Sequence, residues 1–310
     1  MGKTAFIFPG QGAQSVGMGQ DAFNAVPSAR DIFQTADDKL GFSLSSIIFN
    51  GPDEELKQTA NTQPALLTTS MAYLEAIRGT GIKPDFVAGH SLGEYSALVC
   101  ADVLTFEEAV SIVRARGEYM EAAVPGGQGS MAAVLGAERQ ALAELCSSIT
   151  ADGHVVELAN MNCPGQIVIS GSAEGVAAAV ERVKEAGGKR AIPLEVSGPF
   201  HSSLMKDAAG RLGDKLETAT FQSPAIPVVA NVTARPVEDA SEIRGLLVEQ
   251  VYSPVLWQDS VEWMIAQGVD TFVEIGPGSV LSGLIRKIDK TVKVINVNSL
   301  ESAEKLESLM

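Results

Sequence analysis

The chain has 310 residues, 45% of them apolar and 20% charged, and its 23 Lys and Arg stand against 38 Asp and Glu for a formal charge of −15. That excess disfavours a duplex nucleic-acid partner, because neutralising phosphates needs clustered cations. No apolar run approaches the ~18 residues that would cross a bilayer, so neither nucleic acid nor membrane is expected as a partner. The three cysteines, Cys100, Cys146 and Cys163, are widely spaced and give no metal-ligand spacing. They fit a reducing, cytoplasmic setting.

The first residues run straight into Pro9-Gly10-Gln11-Gly12 without an apolar stretch, and no cleavable leader is expected. "KTAFIF" reads as a short buried strand. Residues 21–40 and 64–78 have helical periodicity, and Pro64 is placed at the first helical position of the second. Residues 85–90 read as a strand and 92–101 as a helix. A further helix covers 106–123, with Thr105 as its N-cap. Strand and helix alternating in this way argue for a parallel α/β sheet.

Gly126-Gly127-Gln128-Gly129 interrupts that rhythm. Beyond it the chain reads as strand 130–135, helix 138–149, strands 155–160 and 166–170, helix 173–186 and strand 190–196. This β-α-β-β-α-β order is ferredoxin-like. Residues 126–196 therefore read as an inserted subdomain. "PVVANVT" (227–233) and "DTFVEIGPG" (270–278) resume the larger pattern, so 1–125 and 197–310 form one core.

The stretch most suggestive of chemistry is Gly89-His90-Ser91-Leu92-Gly93, between a strand and a helix. Gly-x-Ser-x-Gly is the pattern of a nucleophile held on a tight turn, and it is also the pattern of an ordinary Gly-rich turn. In the first reading Ser91 sits at a helix N-terminus, where developing negative charge is favoured, and the Leu92 N–H donates to an oxyanion. A serine needs a base, and the chain has three histidines. His90 adjoins the serine and should point away from it. His154 follows a turn glycine inside the insert. His201, after "VSGPF", is the base candidate by elimination, with a capping or core role as the alternative. The loop "FPGQGAQSVGMG" fails the dinucleotide and P-loop patterns, but it could present the Gln11 N–H to an oxyanion. Arg114 and Arg116, two apart on one helix, face different ways, and an Arg turned toward the site would need an anion such as a carboxylate. Cys163 has no base near it in sequence and reads as a small buried residue. Arg286, Lys287, Lys290 and Lys293 form the best basic patch, or simply a solvated helix end.

Together, "FPGQGAQSVGMG", "NTQPALLTTSMAYLEA", "GHSLGEYSALV", "RGEYMEAAVPGGQGSMAAVLG", "NCPGQIVISG", "SGPFHSSLM", "SPVLWQDSVEWM" and "EIGPGSVLSGL" resemble the malonyl-CoA:acyl carrier protein transacylases of fatty acid synthesis. The likeness runs through about residues 4–290 in the family order. It implies an α/β-hydrolase-like parallel-sheet core with a ferredoxin-like insert, and an active site between the two. It implies Ser91 as the acylated nucleophile, His201 as its base and Arg116 as the partner of the substrate's free carboxylate. It further implies an oxyanion hole from the backbone of Gln11 and Leu92, a Gln250 main-chain carbonyl that orients the histidine, and Gln63 and Asn160 near the pocket. Phe200 before His201 matches malonyl-specific relatives and could fill the space of an α-methyl group. The implied substrates are malonyl-CoA and holo acyl carrier protein, with no metal or redox cofactor and a monomeric enzyme. Two rivals are a serine hydrolase such as a thioesterase, and an inactive carrier-binding scaffold. Arg116 and the insert weigh against the first, and the intact Ser91, His201 and Arg116 set weighs against the second.

Overall fold

In the computed structural model, which describes residues 2–310, side chains of strand β1 (Lys3–Phe8) alternate between two buried faces. Phe6 and Phe8 enter one apolar cluster, and Ala5 and Ile7 enter another. Strand β2 (Phe86–Gly89) repeats this, with Val87 on the first face and Phe86 and Ala88 on the second. A strand buried on both faces belongs to a parallel sheet covered by helices on either side. The later strands are β3 (Gly129–Leu135), β4 (Val156–Cys163), β5 (Gln166–Ser172), β6 (Arg190–Pro193), β7 (Val228–Val229), β8 (Pro236–Val237), β9 (Val269–Ile275) and β10 (Lys293–Val297). The larger sheet has the order β10-β9-β1-β2-β7-β8 and is parallel except for the last pairing, β7 with β8.

The smaller sheet, β4-β5-β3-β6, is antiparallel throughout. With helices Arg139–Ala151 and Ala173–Arg182 in its crossovers, it has the strand order of a ferredoxin-like unit. Leu142, Ile149, Val176 and Ala179 from those helices pack with Val134 and Ile169 in a cluster of its own. Backbone hydrogen bonds tie this unit to the rest of the chain. Met161 N–H donates to the Val255 carbonyl at 2.9 Å, and Val255 N–H donates to the Ala159 carbonyl at 2.8 Å.

Several elements differ from the sequence expectation. The 21–40 helix is two, Gln20–Ala25 and Pro27–Leu40, because Pro27 disfavours helical geometry at the residue before it and Val26 is extended. Pro64 does not open its helix but lies inside Thr59–Ile77. The carbonyl that its missing N–H leaves free, that of Ala60, is taken by Arg114 Nη1 at 3.1 Å. The 227–233 stretch keeps only two strand residues, the 190–196 strand ends at Pro193, and the 173–186 helix tightens into a 3₁₀ turn at Val183–Ala186. Thr105 caps the Phe106–Ala122 helix as expected, through a reciprocal capping box with Glu108.

That helix crosses Thr59–Ile77 at Gly117, where an added Cβ would lie 2.7 Å from Ala60 Cα and 2.7 Å from the Thr59 carbonyl oxygen. Gly117→Ala is expected to destabilise the protein by about 1–3 kcal/mol, the usual cost of overpacking. Gly126→Ala, where a Cβ meets nothing within 4 Å, should stay within about 0.5 kcal/mol of wild type. Urea unfolding of the two variants checks this, and equal midpoints would refute the close crossing.

Candidate active site

Strand β2 ends at Gly89, and the Gly93–Cys100 helix begins four residues later. Between them Ser91 has φ 51°, in the left-handed region that a non-glycine residue adopts only under constraint. The turn is possible because both flanking residues lack a Cβ. One on Gly89 would lie 1.9 Å from the Gly93 carbonyl carbon, and one on Gly93 would lie 2.1 Å from the Phe8 carbonyl oxygen. Asn231, just beyond β7, clamps the turn. Its Oδ1 accepts from the Ser91 N–H and its Nδ2 donates to the Gly89 carbonyl, each at 2.7 Å.

His201 Nε2 is 2.8 Å from Ser91 Oγ, and His201 Nδ1 is 2.8 Å from the Gln250 carbonyl oxygen. A carbonyl only accepts, so Nδ1 carries the proton and Nε2 faces the serine as an acceptor. His201 is 4% exposed. Burial first, and then the charge of Arg116, push its pKa down to about 3. The imidazole is therefore neutral at any working pH, with Nε2 facing the serine hydroxyl.

Arg116 is 1% exposed, on the Phe106–Ala122 helix. Its Nη1 donates to Gln63 Oε1 at 2.8 Å, and its Nη2 donates to Gln250 Oε1 at 2.9 Å and to Ser91 Oγ at 3.2 Å. Among the described residues its Nε has no partner, and its Cζ lies over the Tyr95 ring, 5.6 Å from the centroid. Among the described residues it forms no ion pair, so a buried cation lies beside a serine hydroxyl with only neutral oxygens around it. Arg114 faces away, half-exposed, pairing with Glu118 at 2.6 Å.

These groups open into a cavity of ≈ 310 Å³ between the two sheet units. The core lines it with Gln11, Gln63, Ser91, Leu92, Arg116, Phe200 and His201, and the smaller unit with Met131 and Asn160. Neither the Gln11 nor the Leu92 backbone N–H has an acceptor among the described residues. The Gln11 side chain is tied back to Thr59 Oγ1 at 3.2 Å, which fixes that loop to the start of the Thr59–Ile77 helix. The expected site residues thus converge in one place. Of the remaining candidates, His90 also lines this cavity, and the others lie elsewhere. His90 points from the turn to Asn162 Oδ1 at 2.9 Å, and His154 is exposed on the smaller unit. Cys163 is buried outside the cavity, its thiol pushed up by burial. Lys287 reaches Gln166 Oε1 at 3.3 Å.

Sequence reasoning missed Asn231, Glu94 and the Gln250 side chain. Gln250 Nε2 donates to the Ser91 carbonyl at 3.0 Å and to Glu94 Oε2 at 2.7 Å. A signal existed for Asn231, which comes just after an apolar strand at the carboxyl edge of a parallel sheet, where such folds place their sites.

A serine on a strained turn, a neutral histidine against it and two free N–H groups beside it make an acyl-transfer site. A sequence model of the acyl transferase domain family matches residues 5–307. A malonyl CoA-acyl carrier protein transacylase of Bacillus subtilis is 54% identical over 304 residues, covering 98% of this chain and 96% of that protein. One of Staphylococcus aureus is 50% identical, covering 98% of each. Among solved structures, an acyl carrier protein S-malonyltransferase of Vibrio cholerae matches with a TM-score of 0.95 at 45% identity, covering 98% of this chain and 99% of that one. A malonyl-transacylase solved in complex with a type II polyketide acyl carrier protein matches with a TM-score of 0.95 at 43% identity, covering 99% of each chain. The chain belongs to the acyl transferase family and, within it, to the malonyl CoA-acyl carrier protein transacylases.

The depressed histidine pKa gives a pH test. A protonated imidazole cannot accept the serine proton, so reactivity is lost only as pH falls through about 3. Sulfonylation of Ser91 by phenylmethanesulfonyl fluoride should stay flat from about pH 8 to about pH 5. In Arg116→Ala the inflection should move up, since one cause of the depression is gone. A wild-type rate that halves near the ordinary histidine value of 6.5 would contradict the geometry.

Proposed function

We propose that this protein transfers the malonyl group from malonyl-CoA to the phosphopantetheine thiol of holo acyl carrier protein, through a malonyl ester on Ser91. The observation that carries this reading is the buried, ion-pair-free Arg116 guanidinium 3.2 Å from Ser91 Oγ. A plain hydrolase has no use for a buried cation beside its nucleophile. An acyl group that ends in a carboxylate does, because the bidentate fork compensates for lost water. The malonyl names of the relatives agree with it.

The geometry orders the steps. With the malonyl carboxylate on Arg116 and Gln63, Ser91 Oγ attacks the thioester carbonyl and its proton passes to His201 Nε2. The oxyanion forms against the Gln11 and Leu92 N–H groups. The carbon–sulfur bond breaks, and coenzyme A leaves with the proton from His201. The carrier's thiol then gives its proton to His201 and attacks the ester, and Ser91 leaves and is reprotonated. Gln250 orients the imidazole with a carbonyl where serine proteases use a carboxylate. A neutral orienter suffices because a thiolate leaves far more readily than an amine. One thioester replaces another, so the reaction runs both ways and calls for no metal or redox cofactor.

Phe200, 5% exposed and lining the cavity, takes up the volume an α-methyl would need, which disfavours methylmalonyl by the ~1–3 kcal/mol such a contact is worth. Asn160 brings the smaller unit into the acyl pocket. The reading includes the division into a core of 1–125 and 197–310 and an insert of 126–196, which the two separate sheets support. It also includes a monomer working in the cytoplasm. No helix of the described residues is long and apolar enough to cross a membrane.

Intact-mass measurement tests the reading directly. Wild type should gain one malonyl group from malonyl-CoA and lose it to added holo carrier protein, while Ser91→Ala gains nothing. His201→Ala should acylate ~10²–10⁴-fold more slowly. Steady release of malonate without carrier would point to a hydrolase, and no reaction at all to a binding scaffold.

Selectivity tests the Arg116 assignment. With acetyl bound, Arg116 is left as an unpaired buried charge, so Arg116→Ala removes both malonyl's clamp and acetyl's penalty. kcat/KM for malonyl-CoA should collapse while the relative use of acetyl-CoA rises, and Arg114→Ala should leave the ratio alone. An equal drop for both substrates in Arg116→Ala would make Arg116 structural.

A further inference from the structure

Glu94 is a buried carboxyl that the transfer reaction does not use. It is 3% exposed and lies in the first turn of the Gly93–Cys100 helix. Its Oε2 accepts from Gln250 Nε2 at 2.7 Å and from the Asn231 backbone N–H at 3.2 Å. Gln250 presents its other end, Oε1, to Arg116 Nη2 at 2.9 Å. Carboxylate, amide and guanidinium thus stand in line. An amide has a donor end and an acceptor end, and a carboxylate only accepts. Glu94 and the Ser91 carbonyl, which accepts from the same Nε2 at 3.0 Å, therefore hold the NH₂ of Gln250 and turn its oxygen toward Arg116. The other amide on Arg116 has no such anchor, because Gln63 Nε2 reaches only Met120 Sδ at 3.6 Å.

We propose that Glu94 is a positioning residue for carboxylated acyl groups, fixing the Arg116 guanidinium through the Gln250 amide and setting a negative charge one residue behind it. This rests on the assignment of Arg116 as the carboxylate partner. A carboxylate in direct contact with Arg116 would compete with the acyl group's own. Placed one amide further back, it stabilises the buried cation and leaves the fork open.

The arrangement carries a pH signature. Burial pushes the Glu94 carboxyl up to about 7, against the opposing pull of Gln250, Asn231 and Arg116. The other ionisable groups around the cluster are Arg116, Tyr95, His201 and His90. Arg116 stays cationic. Burial raises Tyr95 and lowers both histidines, His201 to about 3. Glu94 alone changes charge near pH 7, ionised above and protonated below. Once protonated, it loses the charge that stabilises Arg116 and strengthens the bond from Gln250, while the Ser91 carbonyl still accepts from the same Nε2 at 3.0 Å. Preference for malonyl over acetyl should fall as pH drops through about 7.

The experiment measures kcat/KM for malonyl-CoA and acetyl-CoA on wild type, Glu94→Gln, Arg116→Ala and the double variant, across about pH 6 to 8.5. Glu94→Gln is expected to lower the malonyl-to-acetyl ratio by about tenfold or more, the effect of losing a charge-assisted hydrogen bond. It should abolish the pH dependence of that ratio and add nothing in the Arg116→Ala background. If both substrates slow equally in Glu94→Gln, Glu94 only supports the turn and the proposal fails while the Arg116 reading stands. A ratio that drops as far with Arg116 absent as with it present also overturns the proposal. If Arg116→Ala itself leaves the ratio unchanged, the underlying reading fails and this one with it. Should Glu94→Gln not fold, the wild-type pH series decides, and a constant ratio overturns the proposal.

Discussion

A guanidinium at 1% exposure with no carboxylate against it is the constraint around which this site is arranged. Desolvating an isolated charge costs several kcal/mol even after relaxation, by rough estimate. The chain offsets that cost with dipoles: two amide oxygens, a serine hydroxyl and the face of Tyr95. They come from separate segments of the chain, so the cation draws distant parts of the fold to one point. Gln250 is the busiest of them. Its side chain holds Arg116 and the Ser91 carbonyl, and its main chain holds His201. One residue at the end of the Ala240–Gln250 helix therefore holds both the buried guanidinium and the imidazole beside Ser91.

The same cation contributes to the state of the histidine. Burial is the larger cause of its lowered pKa, and a positive charge within hydrogen-bond reach of Ser91 acts in the same direction. In the proposed transfer, recognition and base strength are thereby coupled, because a carboxylate bound at Arg116 would offset its charge and make the imidazole a better proton acceptor.

What the sequence revealed was local. The elbow was readable because its signal lies within five residues and needs glycine on both sides for a steric reason. The antiparallel unit was readable because its strand and helix lengths repeat a known order. The Thr105 cap was readable because a capping box spans only a few neighbouring residues. Pro64 was misplaced because its helix continues through it only with Arg114, fifty residues on, serving the Ala60 carbonyl. Glu94 was invisible for the same reason, and Asn231 showed only its place after a strand, since the partners that give them their roles are 137 or more residues away. His201 stood out as a base by elimination among three histidines, whereas the role of Gln250 came from the family likeness. Nothing in the spacing says which main-chain carbonyl an imidazole will find.

The seam between the two sheets has a consequence for modularity. The smaller unit is joined by Val255 pairing with β4 and by His90 reaching Asn162 from the residue next to the nucleophile. Its foreign-looking topology suggests a cassette that could be exchanged between relatives to alter acyl choice. The contacts argue otherwise: a transplanted cassette must carry an acceptor for His90 and an edge that matches Val255, or the serine turn loses its neighbour. Chimaeras cut at the chain crossings alone would separate residues that work as one piece, and the productive graft is the cassette together with the segment around Val255.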